Sequence, residues 1–189
     1  MPLTTLDPKS ALVVIDLQKG ILSIPLAHST APVLQNAGRL AKAFRAKDLP
    51  VVLVNVAGRA PGRTDEKPSN FTPPADWLDL VPELDAQPSD IRVTKKRWGA
   101  FYGTALDLEL RGRGITQIVL CGIATSLGVE STARDAYERG YNVALVVDAM
   151  TDLGAPAHEN SVRYIFPRLG EIATTGGIVE LLGDARRPA

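Results

Sequence analysis

Three features of this sequence could do chemistry: an aspartate that closes one apolar run, a lysine that closes another, and a glycine-bearing turn ahead of a helix. Asp16 follows "ALVVI" and Lys95 follows "DIRVT". A carboxylate at the end of a buried strand either titrates in a site or caps a turn through nearby backbone N–H groups. A lysine at such a place either snorkels to solvent or meets a partner. Together they form a partly buried pair at neighbouring strand ends, in which the lysine keeps the carboxylate ionised and is itself oriented. The turn is "GIATSLG", residues 122–128, between "QIVLC" and "VESTARDAYERG". It offers no cysteine, no histidine and no acid. Asn55 and Asp148 close two further apolar runs.

Other chemistries find less support. "ATSLG" is a variant of the Gly-x-Ser-x-Gly nucleophile elbow, and Asp148 and His158 follow Ser126 in the serine–acid–histidine order. Asp148 and His158 are only ten residues apart with no strand between them, and His158 sits in the helical pattern "PAHENSVRYIF". A serine without a base is a weak nucleophile, so Ser126 reads first as a helix cap. His28 and His158 stand alone, as surface or packing residues, and no metal-ligand spacing occurs. No Gly-x-Gly-x-x-Gly follows the first strand and no phosphate loop is present, so neither a metal nor another cofactor is expected. Cys121, the single cysteine, lies inside "IVLC" and faces the core.

These residues need a scaffold, and the apolar pattern supplies it. Strands are predicted at residues 11–16, 51–56, 90–94, 117–122 and 142–148. Most are continuous Val/Ile-rich runs, as in strands covered on both faces. Helices lie between them. Thr30 caps one whose stripe is Val33, Ala37, Leu40 and Phe44; a second spans 104–114; a third follows the 122–128 turn, with Val129, Ala133, Ala136 and Tyr137 inward and Gly140 ending it. "EIATT" and "GGIVELLG" read as an edge strand and a closing helix. Alternating strands and helices predict an α/β fold, a doubly wound, mostly parallel sheet between helical layers. Ligands then sit beyond the carboxyl ends of the strands, where the strand order reverses. Residues 57–89 form a loop long enough to be a lid, a binding loop or an oligomer contact, with Phe71 and Trp77 within it.

A chain of 189 residues suits a single domain, residues 1–189, and 45% hydrophobic content is ordinary for a globular protein. Lys+Arg and Asp+Glu both total 21, which favours neither nucleic acid nor a membrane surface. One cysteine fits a reducing compartment, and no apolar run approaches the roughly 18 residues that span a bilayer. The N-terminal residues lack the pattern of a signal peptide, so the expectation is a cytoplasmic protein.

The spacing of "VVIDLQKG", "TKKRWGAFYGTALDLELRGRG" and "VLCGIATSLGVESTARDAYERGYNV" resembles the isochorismatase-like hydrolase superfamily, over about residues 8–182. The resemblance implies a three-layer α/β/α sandwich. Most members are cysteine hydrolases of amide-like C–N bonds that use an aspartate, a lysine and a cysteine. Asp16 matches the aspartate. Lys95 matches the lysine, six residues before Phe101 of the family's Ser-Ala-Phe, here "GAF". The family turn is Gly-Val-Ala-Thr-Asn-x-Cys-Val-Glu-Ser-Thr; here it is "GIATSLGVEST", and Gly128 stands at the cysteine. The isochorismatases proper, which cleave a vinyl ether without a covalent step, also carry glycine there. They differ in having Tyr-Ala-His where this chain has Ala124, Thr125 and Ser126, and tyrosine and serine where it has Trp98 and Gly99.

The resemblance therefore implies a non-covalent hydrolase of a small molecule, with Asp16 as acid, Lys95 as its partner and Gly128 leaving room for substrate or water. Ile123, Ala124, Thr125 and Ser126 are the expected substrate-binding turn, with a cis peptide between Ile123 and Ala124, and Trp98 and Phe101 are candidate pocket walls. Two alternatives stay open: C–N hydrolysis using Ser126 or water, and a non-catalytic member that binds a metabolite or partner. Homodimers or higher homo-oligomers are implied by the same resemblance.

Overall fold

The structure is a computed structural model and describes residues 3–65 and 72–184. The elements in chain order are β1 (Ser10–Ile15), α1 (Lys19–Leu22), α2 (Thr30–Arg45), β2 (Val51–Val56), β3 (Ile91–Lys95), α3 (Leu106–Gly112), β4 (Gln117–Ile123), α4 (Glu130–Glu138), β5 (Asn142–Thr151), α5 (Ala155–Asn160), α6 (Phe166–Leu169), β6 (Glu171–Ala173) and α7 (Thr175–Asp184). A π-helical turn, Thr125–Val129, leads into α4, and another, Ser161–Ile165, joins α5 to α6. No described helix is long and apolar enough to cross a membrane.

The six strands form one sheet in the order β3-β2-β1-β4-β5-β6, and every pairing is parallel. Strand order reverses between β1 and β4, so the crevice for a ligand opens beyond Ile15 and Ile123. Period-two alternation along each strand divides the interior. Leu12, Val14, Leu53 and Val119 face α2 and α7 with Leu40, Phe44, Ile178 and Leu182. Val13, Ile15, Val54 and Leu120 face the opposite layer with Leu106, Leu110, Ala133, Ala136 and Phe166. This is the three-layer sandwich. Each fully buried large apolar side chain contributes roughly 1.5–3 kcal/mol through its removal from water.

Several boundaries differ from the sequence expectation, each for a local reason. Ser29, not Thr30, occupies the cap position of α2, and it makes no side-chain capping bond. α3 begins at Leu106 rather than at 104; Thr104 Oγ1 donates to Ala100 O and accepts from Leu106 N ahead of it. β5 does not end at Asp148. Its register against β4 jumps between Leu120↔Leu145 and Gly122↔Met150, and the strand resumes as far as Thr151. The bulge turns Asp148 away from the crevice to accept hydrogen bonds from Thr175 N (2.8 Å) and Thr175 Oγ1 (3.0 Å) at the start of α7.

At the centre of the sheet β4 passes β1 without a side chain between them. Gly122 has φ +118°, and a Cβ there would lie 2.7 and 2.8 Å from Ile15 N and C, closer still to its carbonyl oxygen. Both the backbone angle and the space exclude a side chain. Gly122→Ala is expected to destabilise the fold by about 3 kcal/mol or more. Urea unfolding measures this, and a loss below about 1 kcal/mol would contradict the packing described.

Candidate active site

Asp16 ends β1 in the left-handed region, φ 52°, a conformation that aspartate tolerates better than most residues. Its N–H still donates to Val54 O at 2.9 Å, which fixes the backbone to β2. Lys95, the last residue of β3, is not on a strand next to β1, as the sequence had suggested. β2 lies between, and the lysine reaches over its end to set Nζ 2.7 Å from Asp16 Oδ2. The two side chains are 2% and 6% exposed. Nζ also donates to Arg97 O at 3.1 Å. Asp16 Oδ1 is buried and has no hydrogen-bond partner among the described residues.

This geometry corrects the electrostatic expectation. Burial, the dominant effect, raises the Asp16 carboxyl to about 6, against the charge and hydrogen bond of Lys95, which lower it. Lysine does not hold the carboxylate fully ionised; desolvation wins. The group is a carboxyl that can carry or release a proton near neutrality, as a general acid or base needs.

The third element is the turn after β4. The Ile123–Ala124 peptide is cis. Leu127 N and Val129 N donate to Ala124 O at 3.2 and 3.1 Å, which seats the π-helical turn on the end of β4. Gly128 is buried against the ion pair: a Cβ there would stand 3.2 Å from Asp16 Oδ2 and 2.9 Å from Ile15 Cγ2. Any side chain at 128 would project at the carboxylate.

The far side of the same turn is held by hydrogen bonds the sequence did not reveal. Thr125 Oγ1 donates to Thr151 O (3.0 Å) and lies 2.8 Å from His158 Nδ1. A hydroxyl has one proton, and here the carbonyl takes it, so His158 Nδ1–H is assigned as donor to Thr125. Ser126 N donates to Asp152 Oδ2 at 2.6 Å. His28 Nδ1 lies 2.9 Å from Thr151 Oγ1, and the two imidazoles meet edge to face at 5.0 Å. Burial and then His28 push the His158 imidazole down, against Asp152 and Glu159. His158 braces the turn, with His28 packed behind it on Thr151 and the His158 ring. Among the described residues no three His, Cys, Asp or Glu side chains converge as a metal site requires.

A pocket of about 650 Å³ opens over the pair. Asp16, Lys95, Gly128, Ile123, Ala124 and Trp98 line it; Thr125, Ser126 and Phe101 do not. Phe101 is 4% exposed, stacked on Tyr141 at 5.9 Å in the core beneath α3. Thr125 points back toward β5, and Ser126 is tied by its N–H to Asp152, with His158 committed to Thr125. The serine–acid–histidine arrangement does not form, because Asp148 caps α7. Cys121 is buried, and burial pushes its thiol up to about 12.

The long loop supplies the opposite wall through residues 57–59, 73–75, 77 and 78; Phe71 lies outside the described residues. Two residues just after Asp16 hold it. The buried amide of Gln18 accepts from Val56 N (2.7 Å) and donates to Trp77 O (2.9 Å) and Val56 O (3.2 Å), standing in for a strand. Gly20 leaves its Cβ space to the Trp77 indole, whose ring atoms would lie 2.5 and 2.6 Å from an added carbon. Asn55 Nδ2 reaches Leu78 O at 3.0 Å. Glycine and glutamine in "DLQKG" are the only sequence trace of this clasp.

The six-stranded parallel sandwich matches the fold of isochorismatase-family structures. The chain belongs to that family: the Isochorismatase domain matches residues 10–176. It is 47% identical over 180 residues to the isochorismatase family protein YwoC of Bacillus subtilis, covering 91% of this chain and 93% of that protein. The ureidoacrylate amidohydrolase RutB of Variovorax paradoxus is 31% identical over 215 residues, 97% of this chain and 85% of its own. An isochorismatase family protein from Burkholderia thailandensis has the same fold, with a TM-score of 0.90 at 46% identity over 95% of this chain and 98% of that one.

The raised Asp16 carboxyl has a consequence for stability. Its affinity for a proton is higher folded (about 6) than at its ordinary 3.8, so the folded state binds more protons between these values. The contribution of this group is therefore full below pH 4 and is lost as pH rises through 6, by on the order of 3 kcal/mol. The stability difference, wild type minus Asp16→Asn, is expected to fall by that amount between pH 4 and 7 in urea titrations. Parallel pH profiles for the two proteins would contradict the burial effect.

Proposed function

We propose that this protein hydrolyses a small molecule without a covalent enzyme intermediate, with Asp16 as general acid. One observation carries the reading: Gly128, the position that faces the Asp16–Lys95 pair, has no side chain, and no cysteine, serine or threonine lines the pocket among the described residues. With no thiol or hydroxyl among the described lining residues, and Asp16 and Lys95 engaged with each other, water is the attacking group. Protonated Asp16 gives its proton to the substrate, as at the terminal carbon of a vinyl ether. Water then adds to the electron-poor carbon bonded to oxygen. The Asp16 carboxylate left behind is steadied by Lys95 Nζ at 2.7 Å and recovers a proton from the added water. Collapse of the adduct releases a carbonyl compound and an alcohol.

A second reading keeps the same residues and changes the bond. Similarity to an amidohydrolase, RutB, favours C–N cleavage. In that case Asp16 acts as base, taking a proton from water as it attacks the acyl carbon, and later passes that proton to the departing nitrogen.

The reading is tested with a panel of small vinyl ethers, including isochorismate, and small amides. Turnover is expected in the wild type and is expected to fall by about 10²–10⁴-fold in Asp16→Asn. Iodoacetamide should leave wild-type activity intact, since the one thiol is buried and protonated. Turnover that survives Asp16→Asn, or that iodoacetamide abolishes, would sink the proposal.

A further inference from the structure

The described walls of the pocket carry few polar side chains. Among its described lining residues the charged side chains are Asp16, Lys95 and Arg59, and the first two are paired with each other at the floor. No serine, threonine, asparagine, glutamine, histidine or tyrosine among the described residues lines it. Most of the described wall side chains are apolar: Ile21, Leu78, Trp77, Trp98, Leu127 and Leu153 are representative. Trp77 is set in place by the Gly20 gap beneath its ring and by the Gln18 bond to its carbonyl, so one wall is a fixed flat surface. Arg59 is exposed, so its guanidinium belongs to the solvent side of the pocket.

We infer that the substrate has an apolar body, a single hydrolysable polar group directed at Asp16 Oδ1, and at most one carboxylate, at the end that faces Arg59. This deepens, and rests on, the hydrolytic reading of the same site. An apolar wall gains about 0.8 kcal/mol for each methylene it covers, a fourfold step in affinity. It also rejects a polar group that it cannot hydrogen-bond, because that group gives up water for nothing. A dicarboxylate would leave one charge against Ile, Leu and Trp side chains. A single carboxylate at Arg59 meets an exposed charge, worth a few-fold at most. The volume, about 650 Å³, lies within the range of small-molecule sites.

The chain carries its own reporter. Its two tryptophans, Trp77 and Trp98, both line the pocket, so intrinsic fluorescence reads occupancy without turnover. Wild-type protein is titrated with butanamide, pentanamide and hexanamide, then with hexanoate and adipate. The dissociation constant is expected to fall about fourfold for each added methylene. Adipate should bind about tenfold or more weakly than hexanoate. Arg59→Gln should weaken hexanoate by about two- to fivefold and leave hexanamide unchanged. Equal affinities along the amide ladder, or adipate binding as well as hexanoate, would overturn the assignment. The ladder without turnover of any substrate would uphold the pocket's preference while removing the hydrolytic reading; turnover with a flat ladder would do the reverse.

Discussion

A carboxyl and an ammonium group, both buried and 2.7 Å apart, set the terms for everything around them. Taking two charges out of water costs more than their attraction alone returns unless further hydrogen bonds complete the site. Lys95 gains one from Arg97 O, but Asp16 Oδ1 gains none among the described residues. The rise of the Asp16 carboxyl to about 6 shows the same imbalance: in place, the ionised form is disfavoured. Such a pair is a poor device for stability. Its arrangement makes sense as chemistry, a proton held near neutrality beside a fixed positive charge.

The sheet places that pair with few degrees of freedom. β1 delivers Asp16 at the reversal of strand order, β2 forms the ledge that Lys95 crosses from β3, and the close pass of Gly122 over Ile15 brings the β4 turn down onto the carboxylate. The turn has two faces with different duties. Ile123, Ala124, Leu127 and Gly128 shape the pocket, while Thr125 and Ser126 point away and are tied to Thr151, His158 and Asp152. Anchoring from behind turns Thr125 and Ser126 away, so the turn itself offers the pocket no polar side chain. On the other wall, Gln18 and Gly20 hold the long loop by its backbone and by the Trp77 ring, so the apolar character of the pocket comes from segments distant in sequence.

How legible this was depended on range. Strands such as "ALVVI" and "QIVLC" were readable because burial on both faces leaves a continuous apolar run, and Asp16 and Lys95 because a charge that ends such a run is conspicuous. The resemblance to the isochorismatase-like hydrolases located Gly128. Asp148 was misread because a bulge in β5 is invisible in an unbroken "NVALVVD" run. Phe101 was offered as a wall, but an aromatic residue near a motif has no sequence signature that separates core from pocket. The bracing by His158 and the Gln18 clasp were hidden for the same reason: they depend on partners 33 and 59 residues away, which no local pattern encodes. The sign of the Asp16 shift was also out of reach, since it is decided by how completely the pair is dried.

The pH dependence of kcat/KM on a turned-over vinyl ether would test the central claim most directly. An acid of about 6 that must be protonated in the free protein gives a rate that is constant at low pH and falls tenfold per pH unit above about 6. That fall, absent from the residual activity of Asp16→Asn, is the predicted result. A rate that instead rises through pH 6 to a plateau would mean that Asp16 works ionised, and would contradict the account of it as the proton donor.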